Sequence, residues 1–263
     1  QQQQQQQQQE RSFRARAPKN PGNKKMLGEK KKDEFKAYAS LFRYSDKKII
    51  EMKCKDALDN GFKIIKLHEI EDSYIEAARQ FIGDNILLMT DANCEWSYDE
   101  ALNKKEFFKK INLLWVEEPI FPPEDFKSLA LLRKNLGTPI ALGENACTEW
   151  EFQKILESGA ADYIQPSVIK VGGISEMMKV IKLSEKYNTP IMPHSAYFGP
   201  GFLASLHLAS QTSLETYIER YYLDLAEEFY PEFRSANNGT YKLPNGPGLG
   251  LDFEEKKIDK FIV

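Results

Sequence analysis

The sequence predicts an α/β fold in which parallel strands close into a barrel. From residue 35 onward, eight short apolar runs alternate with longer amphipathic stretches, and they recur at intervals of about 25 residues. Such alternation predicts right-handed βαβ units and a parallel sheet. Eight strands at this spacing fit a closed (β/α) barrel better than an open doubly wound sheet. A dinucleotide-binding fold is disfavoured because no G-x-G-x-x-G motif follows the first run.

The predicted strands are mostly apolar and rich in β-branched residues, which is typical of strands buried on both faces. They cover residues 35–40, 62–68, 86–92, 113–118, 139–144, 162–166, 190–194 and 216–219. Helical patterns fill 47–60, 72–82, 123–136, 148–158 and 174–187 between them.

Residues 1–34 are predicted to be a low-complexity, basic tail, and residues 35–263 a single barrel domain. The chain begins with nine glutamines, and a stretch with few large apolar residues follows. Such a segment buries too little apolar surface to offset the entropy of ordering it. We therefore expect a disordered segment or a remnant, although its basic charge also allows an arm that binds RNA or a membrane.

The overall composition gives no sign of a nucleic-acid or membrane partner. The formal net charge is −3, which gives no global attraction to nucleic acid or to an anionic membrane. No apolar run is long enough to cross a bilayer. Three widely spaced cysteines without a metal-binding pattern favour a cytoplasmic setting. A homo-oligomer is compatible with these features.

Polar residues follow the predicted strands at the point where each strand ends. The intervals from residue 66 to 91, 117 and 144 are 25, 26 and 27 residues. In a barrel, the carboxyl ends of the strands form one mouth, where catalytic groups lie. Any one of these residues alone could simply begin a solvated loop, but their regular recurrence predicts a functional site. They are Lys66, His68, Asp91, Asn93, Glu117, Glu144, Asn145, Ser167, Lys170, His194 and Glu219.

Three successive strand ends carry acids, namely Asp91, Glu117 and Glu144. Three close carboxylates without a cation would raise one another's pKa. A divalent cation that prefers oxygen ligands removes this conflict, and Mg²⁺ also keeps positions open for substrate oxygens. Structural zinc is disfavoured because no cysteine pair or histidine cluster accompanies the acids. Glu118 alternates with Glu117, so we expect it to face away or to bond a neighbour.

Two of the three histidines occupy predicted strand ends. His68 is two residues from Lys66, so both side chains should point inward, whereas His194 ends the seventh predicted strand. His207 lies in a helical pattern and is expected to be satisfied by local contacts.

The ordered motifs resemble the mandelate racemase branch of the enolase superfamily, from about residue 35 to the C-terminus. The matching segments are KLH, DAN, EEP, GEN, IKVGG, PH, YIER and LPNGPGLGLDF, in this order. The resemblance implies a (β/α)₇β barrel that binds Mg²⁺ through Asp91, Glu117 and Glu144.

The resemblance also implies a reaction. A substrate carboxylate would bind the metal, and loss of the proton α to it would give an enediolate. Lys66 would add positive charge, and Glu219 would donate a hydrogen bond if its pKa is raised. Asn93 and Asn145 would support the ligands or the substrate.

Three features depart from the family pattern. His68 stands where the family has the second lysine of its Lys-x-Lys motif. Ser167 stands where the racemase branch has the aspartate that pairs with the histidine, although Ser167 could still orient His194. The N-terminal capping domain of the family is expected to be absent.

These residues favour an acid-sugar dehydratase, in which one group removes the α proton and His194 protonates a departing hydroxyl. A racemase or epimerase of a hydroxy acid is the alternative. Cycloisomerisation is disfavoured by Ser167, where a lysine would be needed. Two further alternatives are a non-catalytic barrel that serves as a scaffold and a glycosidase with two carboxylates and no metal.

Overall fold

The computed structural model describes residues 27–252, in which strands and helices alternate along most of the chain. The predicted tail falls largely on residues 1–26, outside the described residues, and stays a prediction. Among residues 27–252, no helix is both long enough and apolar enough to cross a membrane.

The strands and helices follow one another in a regular order. The strands are β1 (Glu34–Ser40), β2 (Ile64–Leu67), β3 (Leu87–Asp91), β4 (Val116–Glu117), β5 (Ile140–Leu142), β6 (Tyr163–Ile164), β7 (Tyr217–Tyr221) and β8 (Thr240–Lys242). The helices are α1 (Lys47–Asp59), α2 (Asp72–Ile82), α3 (Tyr98–Asn103), α4 (Lys105–Ile111), α5 (Phe126–Leu136), α6 (Glu149–Ser158), α7 (Ile174–Tyr187) and α8 (Pro200–Ala209). A 3₁₀ turn spans Pro231–Phe233.

The strands form one curled, mainly parallel sheet in the order β6-β5-β4-β3-β2-β1-β7. Each pair along this path is parallel, as the strand–helix alternation predicted. The sequence did not predict β8, which pairs antiparallel with the start of β1. The carboxyl ends of the seven parallel strands therefore lie along the same edge of the sheet.

The predicted strand at 190–194 is reduced to a single parallel bridge between Ile191 and Ile164. Pro190 and Pro193 lack backbone N–H groups, so they cannot complete a regular ladder. The segment still runs beside β6, because the N–H of Met192 donates to the carbonyl of Ile164 at 2.9 Å.

Local sequence signals explain where several helices begin. The Asp46 side chain caps α1, and Ser97 with Glu100 forms a capping box at α3. Helices α3 and α4 were not among the predicted helical patterns, although this capping box marks the start of α3. His207 lies in α8, as expected, and its Nε2 contacts the carbonyl of Leu249 at 2.9 Å.

Two buried clusters occupy the two faces of the sheet. The larger one packs the helices against the outer face. The smaller one covers the inner face, which we define by its members Tyr38, Ile64, Met89, Trp115, Ala141, Met192 and Tyr217.

Arg79 on α2 is a buried charged residue, only 7% exposed, and it connects the segments on either side of β3. Its guanidinium donates to the carbonyls of Ile111, Gly83, Ile86 and Asn112 at 2.7–3.3 Å. Five fixed donors suit this task, because buried carbonyls without a partner are costly.

We expect Arg79→Met to lower the free energy of unfolding by about 3 kcal/mol, because four carbonyls lose a charged donor. Urea unfolding measures the change. Arg133→Met is the control, since Arg133 is partly exposed and pairs with Asp162 at the surface; it should cost less than about 1 kcal/mol. Equal losses in the two variants would contradict the assigned role of Arg79.

Candidate functional site

A row of polar residues lies directly beyond the apolar cluster on the inner face. Side chains two residues apart on a strand point to the same face. Six of the seven apolar members of the inner face are followed, two positions later, by a polar residue at the carboxyl edge, and the seventh, Ala141, is followed by Gly143. This polar row consists of Ser40, Lys66, Asp91, Glu117, His194 and Glu219.

Three carboxylates converge at this edge. Asp91, Glu117 and Glu144 each offer an oxygen, and these three atoms lie within 4.8 Å of one another. Asp91 and Glu117 are fully buried, so their negative charges are poorly solvated. A set of oxygen ligands with this spacing and charge fits a hard divalent cation such as Mg²⁺.

Lys66 lies among the carboxylates and is itself fully buried. Its Nζ is 2.6 Å from Glu117 Oε1, 2.9 Å from Glu219 Oε1 and 3.4 Å from Asp91 Oδ2. Burial alone would lower the pKa of Lys66, but the three carboxylates raise it well above its usual value. Lys66 is therefore a fixed positive charge in the site.

The acids respond differently to burial beside this one ammonium group. Burial raises the pKa of Glu117 well above its usual value, and the charges of Asp91 and Glu219 add to this effect. For Asp91, burial acts in the same direction, but Lys66 and His68 lower the pKa below its usual range. The site therefore holds more negative charge than Lys66 alone can balance, and a cation would restore the balance.

Glu219 does not meet the condition set for donating a hydrogen bond, which was a raised pKa. Burial would raise the pKa, but Lys66 and His194 lower it to about 2. The carboxylate also accepts a hydrogen bond from the N–H of Ser195 at 3.1 Å. Glu219 is therefore an ionised acceptor and cannot donate a hydrogen bond to a substrate.

His68 points inward, as expected from its spacing to Lys66. Its Nδ1 contacts the carbonyl of Leu41 at 2.5 Å, and its Nε2 is 3.3 Å from Asp91 Oδ2. Because a carbonyl only accepts hydrogen bonds, Nδ1 carries a proton. Nε2 is then the nitrogen that faces the carboxylates and can exchange a proton.

His194 lies beside the third acid, with Nε2 at 2.9 Å from Glu144 Oε2. Burial lowers the pKa of His194, but Glu144 and Glu219 outweigh this effect and raise it. Among the described residues, Nδ1 has no hydrogen-bond partner. The imidazole is therefore held as a donor to Glu144.

Ser167 does not orient His194 as predicted. Its hydroxyl pairs with the Tyr197 hydroxyl, which in turn donates to the backbone carbonyl of His194 at 2.8 Å. Ser167 thus supports the backbone of His194 rather than its ring. Tyr197 and Ser195 were missed by the sequence analysis, because neither follows an apolar run at strand spacing.

The remaining predicted residues lie at the edge of the site. Asn93 is exposed, and its N–H donates to Asp91 Oδ1 at 2.9 Å. Asn145 is exposed too, with Nδ2 at 3.8 Å from Cys94 Sγ. The ammonium group of Lys170 donates to the carbonyl of Glu144 at 2.8 Å.

Glu118 bonds a neighbour, as expected. Its Oε1 accepts from the N–H of Gly143 at 2.8 Å. Burial raises the pKa of Glu118 to about 7, since this backbone bond only partly offsets the loss of water.

We expect Lys66→Met to lower the free energy of unfolding by about 3–5 kcal/mol, because it leaves buried carboxylates without their partner. Urea unfolding in metal-free buffer measures the change. Lys55→Met is the control, since Lys55 pairs with Asp59 on the exposed face of α1; it should cost less than about 1 kcal/mol. A Lys66→Met protein as stable as the Lys55→Met protein would contradict the assigned ion-pair network.

Comparison with known proteins identifies relatives of this chain. Residues 50–257 match the family model described as Enolase C-terminal domain-like. The chain is 31% identical over 251 residues to the arabinonate dehydratase of Saccharolobus solfataricus, covering 90% of this chain and 66% of that protein. It is 30% identical over 204 residues to the L-talarate/galactarate dehydratase of Salmonella typhimurium, covering 75% of this chain and 49% of that protein. The chain thus spans about half to two thirds of the length of these curated relatives.

Solved structures share the fold as well. The 3,6-anhydro-D-galactonate cycloisomerase from Zobellia galactanivorans is 27% identical with a TM-score of 0.79, covering 90% of this chain and 69% of that one. The L-talarate dehydratase from Polaromonas sp. JS666, complexed with Mg and L-glucarate, is 26% identical with a TM-score of 0.74, covering 88% of this chain and 64% of that one. The motif-based resemblance to the enolase superfamily is confirmed, and the chain belongs to the Enolase C-terminal domain-like family.

Proposed function

We propose that this chain carries the active site of a Mg²⁺-dependent acid-sugar dehydratase, which removes the proton α to a substrate carboxylate and forms an enediolate. One observation carries the proposal. Three carboxylates that suit a divalent cation converge, and an imidazole lies against each of two of them, His68 against Asp91 and His194 against Glu144.

The proposal assumes that the strands close into a (β/α)₇β barrel, in which residues 190–194 take the place of the seventh strand. The contact of Ile191 with β6 supports closure on one side. On the other side, the Ser195 hydroxyl donates to the carbonyl of Glu219 in β7 at 2.9 Å. Such closure would bring His194 across from His68.

Asp91, Glu117 and Glu144 are the residues that would hold Mg²⁺. When bound, the ion supplies positive charge at the substrate carboxylate, where negative charge develops as the α proton leaves. Lys66 is a second, permanent positive charge beside Glu117 and Asp91, and it can stabilise the same developing charge.

His68 is the proposed base. Its Nδ1 is committed to the carbonyl of Leu41, so Nε2, which lies 3.3 Å from Asp91 Oδ2, is the nitrogen placed for proton transfer, and the ring cannot turn without losing the bond to Leu41. A fixed tautomer and orientation are what general-base catalysis needs.

His194 is the proposed acid. Burial lowers its pKa, but Glu144 and Glu219 raise it overall, which favours the protonated ring. Nε2 lies 2.9 Å from Glu144 Oε2, at the carboxylates of the site. Protonation of a leaving β-hydroxyl by this group would complete a dehydration. The names of two relatives, arabinonate dehydratase and L-talarate/galactarate dehydratase, support acid sugars as the substrate class.

An epimerase or racemase is the second candidate. The same two imidazoles on different strands could remove a proton from one face of the α carbon and return one to the other. His194 Nδ1 has no hydrogen-bond partner among the described residues, and Nε2 donates to Glu144, so the ring is held as a proton donor, which favours dehydration.

We expect Mg²⁺ to raise the melting temperature of the protein, because it binds the folded state. At a concentration 100 times Kd, the gain is about 2.7 kcal/mol. Asp91→Asn and Glu144→Gln should lose most of this shift, whereas the surface variant Glu76→Gln, which alters an exposed pair with Lys110, should keep it. Equal shifts in all four proteins, measured by differential scanning calorimetry, would contradict the metal site.

The two histidine variants should lose different activities. With arabinonate or galactarate in deuterated buffer, His68→Asn should lose α-proton exchange and dehydration together. His194→Asn should lose dehydration but keep exchange. Each loss should be about 10²–10⁴-fold, the usual scale of positioned acid–base catalysis.

Proton NMR follows exchange and product in the same sample, and His207→Asn is the control because His207 contacts Leu249, away from the carboxylates. Exchange lost only in His194→Asn would make His194 the base. Interconversion of stereoisomers without loss of water would replace the dehydratase with the epimerase.

A further inference from the structure

The buried carboxylate of Glu117 is held by two different donors, one at each oxygen. Lys66 Nζ lies 2.6 Å from Oε1, and the indole Nε1 of Trp115 donates to Oε2 at 3.2 Å. All three side chains are fully buried. The carboxylate cannot rotate without losing at least one of these bonds.

Trp115 is two residues before Glu117, so both side chains project from the same face of the chain. Its ring belongs to the apolar cluster of the inner face, where it contacts three tyrosines. The centroid distances are 5.1 Å to Tyr163, 6.0 Å to Tyr38 and 6.2 Å to Tyr217. The cluster therefore fixes the direction in which the indole N–H points.

An indole donor has properties that an ammonium group lacks. It is neutral and only donates, so it fixes one oxygen without cancelling the charge that a cation needs. Groups that orient a metal ligand are generally worth 10–100-fold in metal affinity.

We propose that Trp115 is a positioning residue that holds the Glu117 carboxylate in the orientation required to share one divalent cation with Asp91 and Glu144. This inference rests on the proposed function, because it assigns Mg²⁺ to these three acids. It links the apolar cluster to the polar row through one hydrogen bond.

Isothermal titration calorimetry with Mg²⁺ tests the proposal. Trp115→Phe keeps an aromatic ring in the cluster but removes the N–H, and we expect its Kd to rise about tenfold. Trp96→Phe is the matched control, because Trp96 is also buried but contacts Phe108 and Lys104 instead of the acids; its Kd should stay that of the wild type.

A second measurement keeps Trp115 and therefore tests the proposal even if the Trp115→Phe protein does not fold. In the double variant Trp96→Phe/Trp150→Phe, Trp115 is the remaining tryptophan of the three in the chain. A cation on Glu117 changes the electric field at the indole that donates to it. The emission of this variant should therefore change with Mg²⁺ at the calorimetric Kd, and the change should vanish when Glu117→Gln is added.

The outcomes separate this inference from the proposed function. Wild-type affinity in Trp115→Phe, or Mg²⁺ binding by the double variant without a change in emission, overturns the role of Trp115 and leaves the metal site intact. Absence of Mg²⁺ binding in the wild type overturns the metal site and this inference together. A weaker Kd in Trp115→Phe with a saturable emission change supports the role.

Discussion

The arrangement of the site depends on one buried positive charge, the ammonium group of Lys66. Four strands are joined at this point, since Lys66 comes from β2 and its carboxylate partners from β3, β4 and β7. Removing charges from water is costly, and each of these charges is tolerable only because of the others. The same contacts that hold the carboxyl edge together therefore also bring the candidate metal ligands into place.

The balance of charge is incomplete, and this has a chemical consequence. One ammonium group faces three carboxylates, and the pKa of Glu117 is raised by burial first and then by the charges of Asp91 and Glu219. A protein built only for stability would replace such a cluster with apolar side chains. The proposed divalent-cation site needs this excess of negative charge, so we interpret the excess as a cost in stability that serves metal binding.

The sequence predicted the framework of the site because strand geometry is periodic. Asp91, Glu117 and Glu144 each follow an apolar run, and parallel strands bring such positions to one edge, so their convergence needed no knowledge of distances. The charge state of Glu219 could not be predicted, because it depends on its distance from Lys66. The hydrogen bond between Ser167 and Tyr197 could not be predicted either, since Tyr197 lies in an irregular segment without hydrophobic periodicity. The predicted strand at 190–194 was longer than the observed bridge. Its apolar residues matched the strand pattern, but its two prolines lack the N–H groups needed for further ladder hydrogen bonds.

The two imidazoles show how similar residues can acquire different chemistry from their second nitrogen. Nδ1 of His68 is bound to a backbone carbonyl, and Nε2 faces Asp91. Nδ1 of His194 has no partner among the described residues, while Nε2 donates to Glu144. A base gains from a fixed tautomer, whereas an acid needs only a proton in the right place and a pKa high enough to keep it. In the proposed dehydration, the asymmetry between the two rings thus favours proton removal at His68 and proton delivery at His194.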